Sequence, residues 1–151
     1  MADIVTNPKA RRDFHILETY EAGIVLRGTE VKSLRAGRAQ IGDAFARVDK
    51  EEVWLYNAHI EEYSHGNQLN HEPKAPRKLL LHKQEIRKLT GLVSVKAHAL
   101  VPLALYWKRG KVKVRLGVGK GKQEFDKRED LKRRESDLEM KRAKMQRLKG
   151  R

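Results

Sequence analysis

Cysteine is absent from the 151 residues, so neither a disulfide framework nor a thiolate metal site can be built. Long hydrophobic runs are absent too. The longest, residues 99–107, is broken by Pro102 and falls far short of the roughly 20 residues a membrane helix needs. Residues 1–14 hold no apolar stretch of signal-peptide length, which points to a cytoplasmic protein. Aromatic residues make up only 6% of the chain, and acidic residues are scarce in one place above all. Residues 73–119 carry 12 Lys or Arg against the single acid Glu85.

What is present is positive charge, unevenly spread. The net charge is +14, made of −3 over residues 1–72, +11 over 73–119 and +6 over 120–151. Two separate basic blocks on a chain that is 39% hydrophobic suit a folded domain with one polyanion-binding face. Nucleic acid is the favoured polyanion. A membrane surface would call for a strongly amphipathic helix, and no segment patterns as one.

Alternation marks the strands. Residues 14–20 read as a first strand and residues from Gly23 as a second, interrupted by Gly28 as by a bulge or bend. Val31 and Leu34, three apart, suit one helical turn that stops at Gly37. Residues 43–49 and 53–60 read as a hairpin with Trp54, Tyr56, Ala58 and Ile60 on one face. Residues 1–12 read as an irregular basic lead-in, and 61–77 as a long loop. A helix is expected over 82–90 with Gly91 as its stop, then one or two strands over 92–105 with Pro102 at an edge or bulge. After a turn at 108–110 comes a strand over 111–118, with Val112, Val114, Leu116 and Val118 inward. This order predicts a mainly β fold, a small closed antiparallel barrel of the oligonucleotide-binding (OB) type with short capping helices.

Beyond Val118 the β-pattern ends. Leu131, Leu138 and Met145 recur every seven residues on a highly charged chain, a stripe too thin to fold alone. The expected division is a domain over 1–120 and a basic tail over 121–151, disordered until bound.

Catalytic and metal signatures are weak. Gly117, Gly119 and Gly121 follow a strand but fit neither the P-loop nor the dinucleotide pattern, and read as a flexible exit with Lys120 and Lys122 near phosphate. The six histidines lack zinc-type helical pairing, and no serine sits in a nucleophile elbow. No cofactor, metal or catalytic residue is expected. Trp54, Tyr56, Tyr106 and Trp107 can stack on bases, although strand spacing favours the core. On these residues alone, a ribosomal protein with a basic extension and an RNA-processing enzyme both remain open.

Several stretches resemble a known family. Asn7 with Lys9, Ala10, Arg11 and Arg12, the run YEAGI at 20–24, GTEVKSLR at 28–35, RKLLLH at 77–82, LVPL at 100–103 and DKRE at 126–129 are similar to the SsrA-binding protein (small protein B) family, in the same order along nearly the whole chain. The resemblance implies an OB-type barrel that grips the tRNA-like domain of transfer-messenger RNA. It also implies a basic tail that becomes helical in the ribosomal decoding centre and messenger channel during trans-translation, the barrel standing where an anticodon arm would be. Elongation factor Tu is the implied companion in delivery, and the chain is expected to act as a monomer. The RNA-binding residues expected from the two readings together are Arg11, Arg12, Glu30, Lys32, Ser33, Arg35, Arg77, Lys78, His82, Lys120 and Lys122. Glu30 falls where the family is expected to need a glutamate. The implied ribosome-facing tail residues are Phe125, Asp126, Lys127, Arg128, Lys132, Arg133, Arg134, Lys141 and Arg142. Some relatives carry His or Tyr at the position of Phe125, so stacking there is expected rather than proton transfer.

Overall fold

The computed structural model describes residues 3–64, 70–122, 133 and 138. The chain falls into two units, Met1–Gly121 and Lys122–Arg151, and every element below belongs to the first. Nine strands and three short helices are seen among the described residues: β1 (Asp3–Thr6), α1 (Pro8–Asp13), β2 (Phe14–Ile24), α2 (Gly28–Arg35), β3 (Ala39–Gln40), β4 (Phe45–Asp49), β5 (Glu52–Tyr56), β6 (His59–Ile60), β7 (Arg77–Leu80), α3 (Lys83–Val93), β8 (His98–Lys108) and β9 (Lys111–Gly121). The expected mainly β fold with short helices is what is found. Seven strands form one antiparallel sheet in the order β1-β8-β4-β5-β7-β2-β9, and β9 pairs with β8 as well as β2, so the run of ladders returns to β8. β3 and β6 form a separate small pair.

The inward faces of β5, β7, β8 and β9 supply the core. Val53, Leu55, Leu79, Leu105, Val114, Leu116 and Val118 are all buried. Each such side chain stabilises the fold by about 1.5–3 kcal/mol relative to exposure. α2 contributes Leu34 and α3 contributes Leu89 to the same cluster. The β8–β9 hairpin turns through Arg109 (φ 52°) and Gly110 (φ 75°), as the KRG run predicts.

The structure corrects the sequence reading at seven places. Residues 3–13 are ordered. β1 pairs with β8, and α1 starts where Asn7 caps it, its side chain accepting from the Ala10 N–H at 3.1 Å with Pro8 in the first turn. The two expected first strands are one, β2, and Gly28 is not a strand bulge but the first residue of α2. Gly37, at φ 70°, does stop that helix.

The strand expected over 53–60 switches faces. Asn57 adopts φ 61°, which shifts the side-chain alternation by one residue. Val53 and Leu55 therefore point inward before it, Ala58 and Ile60 after it, and Trp54 and Tyr56 are left half-buried on the outside. Tyr106 is in the core, as the strand spacing favoured.

Gly91 does not end α3. The helix runs on to Val93, because Leu92 and Val93 pack against the core. β8 accordingly starts only at His98, and Pro102 sits at a register shift within it. Finally, Gly117, Gly119 and Gly121 are not a flexible exit but the end of β9. A Cβ on Gly119 would lie 2.8 Å from the Phe14 Cβ, and one on Gly117 would lie 3.0 Å from Leu103 Cδ1. Side chains from β2 and β8 cross β9 at these bare positions.

Candidate nucleic-acid interface

α2 is fixed from beneath by a buried polar knot. The Glu30 carboxylate, in the first turn, accepts from the Arg27 N–H at 2.9 Å and closes the helix N-terminus. Its other oxygen accepts from Arg77 Nε on β7. The same guanidinium donates to the carbonyls of Ala58 (2.8 Å) and Pro73 (3.0 Å). Ser33 Oγ donates to the Glu61 carbonyl at 2.7 Å. His71 lies 2.8 Å through Nε2 from the Ile60 carbonyl, which can only accept, and 2.9 Å through Nδ1 from Thr29 Oγ1. The described part of the loop after β6 is thereby strapped to α2 and β7.

Glu30, Ser33 and Arg77, three of the expected RNA contacts, are accordingly buried, at 4%, 2% and 3% exposure. What they hold outward differs. Lys32 and Arg35 are exposed on α2, and the Lys32 ammonium lies 5.2 Å from the centre of the Tyr63 ring. Lys78 is half-buried on β7, 3.5 Å from the Glu52 carboxylate. His82 is exposed at the N-terminus of α3.

Next to α2 opens a cleft of about 710 Å³, lined by Glu21, Gly23, Leu26, Val31, Leu80, His82, Trp107, Lys111 and Lys113 among others. Gly23 faces Leu80 across the β2–β7 ladder, where a Cβ on Gly23 would lie 3.3 Å from the Leu80 Cβ, and Leu80 is 51% exposed. Leu80 gives the cleft an apolar patch, and around it stand Lys111, Lys113 and Glu85, whose carboxylate accepts from the His82 N–H at 3.1 Å. Glu21 sits at the edge with a fixed orientation. It accepts from Tyr106 Oη at 2.6 Å and from Lys108 Nζ at 2.9 Å. These hydrogen bonds, the Tyr106 one foremost, hold its carboxyl below the usual carboxylate range. Burial, reinforced by the Glu21 hydrogen bond, pushes the Tyr106 hydroxyl up to about 12. The Arg115 guanidinium covers the Tyr106 ring at 5.0 Å. The sequence reading passed over Glu21 and Leu80. Their signal was the pairing of Gly23 on β2 with a leucine on β7, five strands further on in sequence, which only the sheet order discloses.

The remaining expected contacts lie at the other end of β2. Arg11 and Arg12 are exposed in the last turn of α1, with Arg12 Nε 3.3 Å from the Asp13 carboxylate. Lys120 is exposed on β9 opposite both His15 and His98, whereas Lys122, half-buried, belongs to the second unit. β2 has 11 residues, so along the strand this end is at most about 33 Å from the cleft end. Of the tail, Arg133 is exposed, whereas Phe125, Asp126, Lys127, Arg128, Lys132, Arg134, Lys141 and Arg142 lie outside the described residues. Among the described residues no group of three or more His, Cys, Asp or Glu is placed to hold a metal, and no helix is long and apolar enough to cross a membrane.

The cleft thus joins an apolar patch at Leu80 and Trp107 to two lysines and two carboxylates, Glu21 and Glu85, each carboxylate tied into hydrogen bonds. Comparison with known proteins gives the family. The "SmpB protein" family matches residues 4–146. An "SsrA-binding protein" of Geobacillus sp. (strain WCH70) is 57% identical over 140 residues, covering 93% of this chain and 90% of the relative. One from Bacillus subtilis (strain 168) is 55% identical over 137 residues, covering 91% and 88%. A solved structure described as "tmRNA-SmpB: a journey to the center of the bacterial ribosome" superposes with a TM-score of 0.69 at 50% identity, over 82% of this chain and 87% of that one. The chain belongs to the SmpB family, whose members are RNA-binding proteins and not enzymes.

Proposed function

We propose that this protein binds the tRNA-like domain of transfer-messenger RNA (SsrA) and delivers it to stalled ribosomes for trans-translation. The observation that carries the proposal is the cleft beside α2, in a chain whose relatives are named for binding SsrA. Its apolar floor at Leu80 and Trp107 suits an unstacked base or a ribose. Lys111 and Lys113 suit the phosphates on either side, and the ionised Glu21 oxygens suit a ribose hydroxyl or an exocyclic amine. Glu30, Ser33 and Arg77 serve as positioning residues, holding α2 so that Lys32 and Arg35 face the same RNA. Arg11, Arg12 and Lys120 extend the contact to the far end of β2, and Lys122 is read as an RNA contact of the second unit.

The ring of ladders is read as a barrel of the OB type, with residues 1–120 as the RNA-gripping domain. Residues 121–151 are read as the tail that enters the decoding centre and messenger channel and becomes helical there. The protein then stands where the anticodon arm of a tRNA would be, as a monomer, with elongation factor Tu in the delivery complex. Joining two moderate sites on one chain raises the effective concentration of the second, so both are needed for rescue.

The deciding experiment is a titration against transfer-messenger RNA in competition with an unrelated structured RNA of equal length, at several salt concentrations. Preference for the tRNA-like RNA that persists as salt rises is expected, with a slope set by the number of phosphates neutralised. Equal affinity for both RNAs, collapsing together with salt, would leave only non-specific attraction and overturn the proposal. A chain ending at residue 122 is expected to keep this binding and lose rescue.

A further inference from the structure

The outer face of β4 and β5 carries a second set of aromatic side chains that the cleft does not use. Phe45 and Tyr56 are directly opposite in the ladder, with ring centres 5.5 Å apart and planes inclined by 22°. The Arg47 guanidinium covers both rings, at 5.0 Å from Phe45 and 6.0 Å from Tyr56. Arg47 is in turn opposite Trp54, and Trp54 is opposite Lys78 on β7. Across three adjacent strands the row therefore reads cation, indole, cation, spanning about 10 Å. Arg47 is exposed and the three rings are half-buried, each keeping part of its surface in solvent.

Two features give this face a polarity. At one end Glu52, opposite Asp49, accepts from Trp54 Nε1 at 3.1 Å and pairs with Lys78. At the other end, beyond Phe45, a cleft of about 420 Å³ opens between β4 and His98. The acidic end repels a phosphate backbone, whereas the Arg47 end attracts one and has room beside it. A stacked ring pair under Arg47, with an indole beside it between Arg47 and Lys78, matches single-stranded nucleic acid, whose bases stack on aromatics without regard to sequence while Arg takes the phosphates.

We propose that the outer face of β4 and β5, centred on Phe45, Arg47, Trp54 and Tyr56, is a second RNA-contact surface that takes unpaired nucleotides by stacking. It rests on the reading of this chain as RNA-binding, but not on the identity of the RNA held in the cleft. Lys78 and Leu80 are successive outward residues of β7, so the face lies beside the cleft, and one RNA can run from a structured element in the cleft onto the ladder as a single strand.

The test uses the full-length protein and two probes: single-stranded decauridine, and the folded tRNA-like RNA. Arg47→Glu, on an exposed side chain, and the double variant Phe45→Leu with Tyr56→Leu are each expected to weaken decauridine binding by about tenfold or more. Affinity for the tRNA-like RNA is expected to stay within about twofold, since the cleft residues are intact. Decauridine carrying 5-iodouridine, irradiated on the unaltered protein, is expected to cross-link to Phe45, Trp54 or Tyr56, an outcome that needs no variant to fold. Unchanged decauridine affinity in Arg47→Glu, or cross-links confined to Trp107 and other residues off this face, overturns the proposal. So does a face that captures a protein ligand but no oligonucleotide. Failure of the tRNA-like RNA to bind selectively would count against the cleft reading and leave these decauridine results standing.

Discussion

Glu30 and Arg77, 47 residues apart in the chain, meet as a buried ion pair that joins the first turn of α2 to β7. The carboxylate also closes the helix, and the guanidinium also gathers three carbonyls of the loop that follows β6 and of its approach. Removing one partner leaves the other buried without compensation, which costs about 3–5 kcal/mol. Glu30→Ala is therefore expected to lower the urea midpoint strongly, and RNA affinity with it as α2 loses its anchor. A Glu30 variant of undiminished stability and full RNA affinity would mean that the pair neither holds the fold nor places Lys32 and Arg35.

The β4–β5 turn is built from the wrong residues for its shape. Lys50 at φ 49° and Glu51 at φ 64° both occupy the left-handed region, as a two-residue hairpin turn of this hand requires. An L-residue there is strained by about 1–2 kcal/mol. Lys50→Asn combined with Glu51→Gly is expected to raise the thermal midpoint, read by circular dichroism. A midpoint that falls would show that the two side chains stabilise the hairpin in some other way.

Two glycines make a matched pair of opposite sign. Gly119→Ala places a methyl 2.8 Å from the Phe14 Cβ, an atom that can move only with its backbone, and is expected to destabilise by about 1–3 kcal/mol. Gly28→Ala meets nothing within 4 Å at the start of α2. It is expected to stabilise by about 0.4–1 kcal/mol, through the unfolded chain. Calorimetry on both variants checks the contrast.

Glu21 and Tyr106 make the folded protein's titration distinctive. The Glu21 carboxyl is held below its ordinary value, so its contribution is present above the unfolded pKa and lost as pH falls through the lower folded one. Tyr106 is raised from 10.0 to about 12, so its contribution is present below the unfolded value and lost as pH rises through about 12. An absorbance titration of the four tyrosines should show late ionisation that moves to lower pH in Glu21→Gln. An unmoved curve would mean that burial alone holds the Tyr106 proton.

The β4–β5 hairpin, the strand over 111–118, the Gly37 stop and the turn at residues 109–110 were legible because each rests on local pattern: alternation, a helix stop, a turn dipeptide. The outward placement of Trp54 and Tyr56 was not, because one residue, Asn57, inverts the alternation and an asparagine in sequence does not announce its φ. α1 was missed although Asn7 and Pro8 spell a capped helix start, since a six-residue helix carries too little periodicity to stand out. The site was half legible. GTEVKSLR located α2, yet the sequence could not tell which of its polar residues face inward, because that depends on Arg77 arriving from another strand. Glu21 and Leu80 became visible only once β2 was seen beside β7.

The double pairing of β9 has a mechanical consequence. The chain leaves the first unit from the end of a strand that is hydrogen-bonded along both flanks, to β2 over residues 14–23 and to β8 over residues 98–108. A pull on the C-terminal side acts along that strand and loads both ladders in shear at once, rather than peeling bonds one after another. Forced unfolding is governed by the unfolding barrier and not by equilibrium stability. Drawn by its C-terminal segment, the molecule is expected to hold at forces that would unzip it if applied across the β4–β5 hairpin. Traction along the tail would then move the whole domain before undoing it.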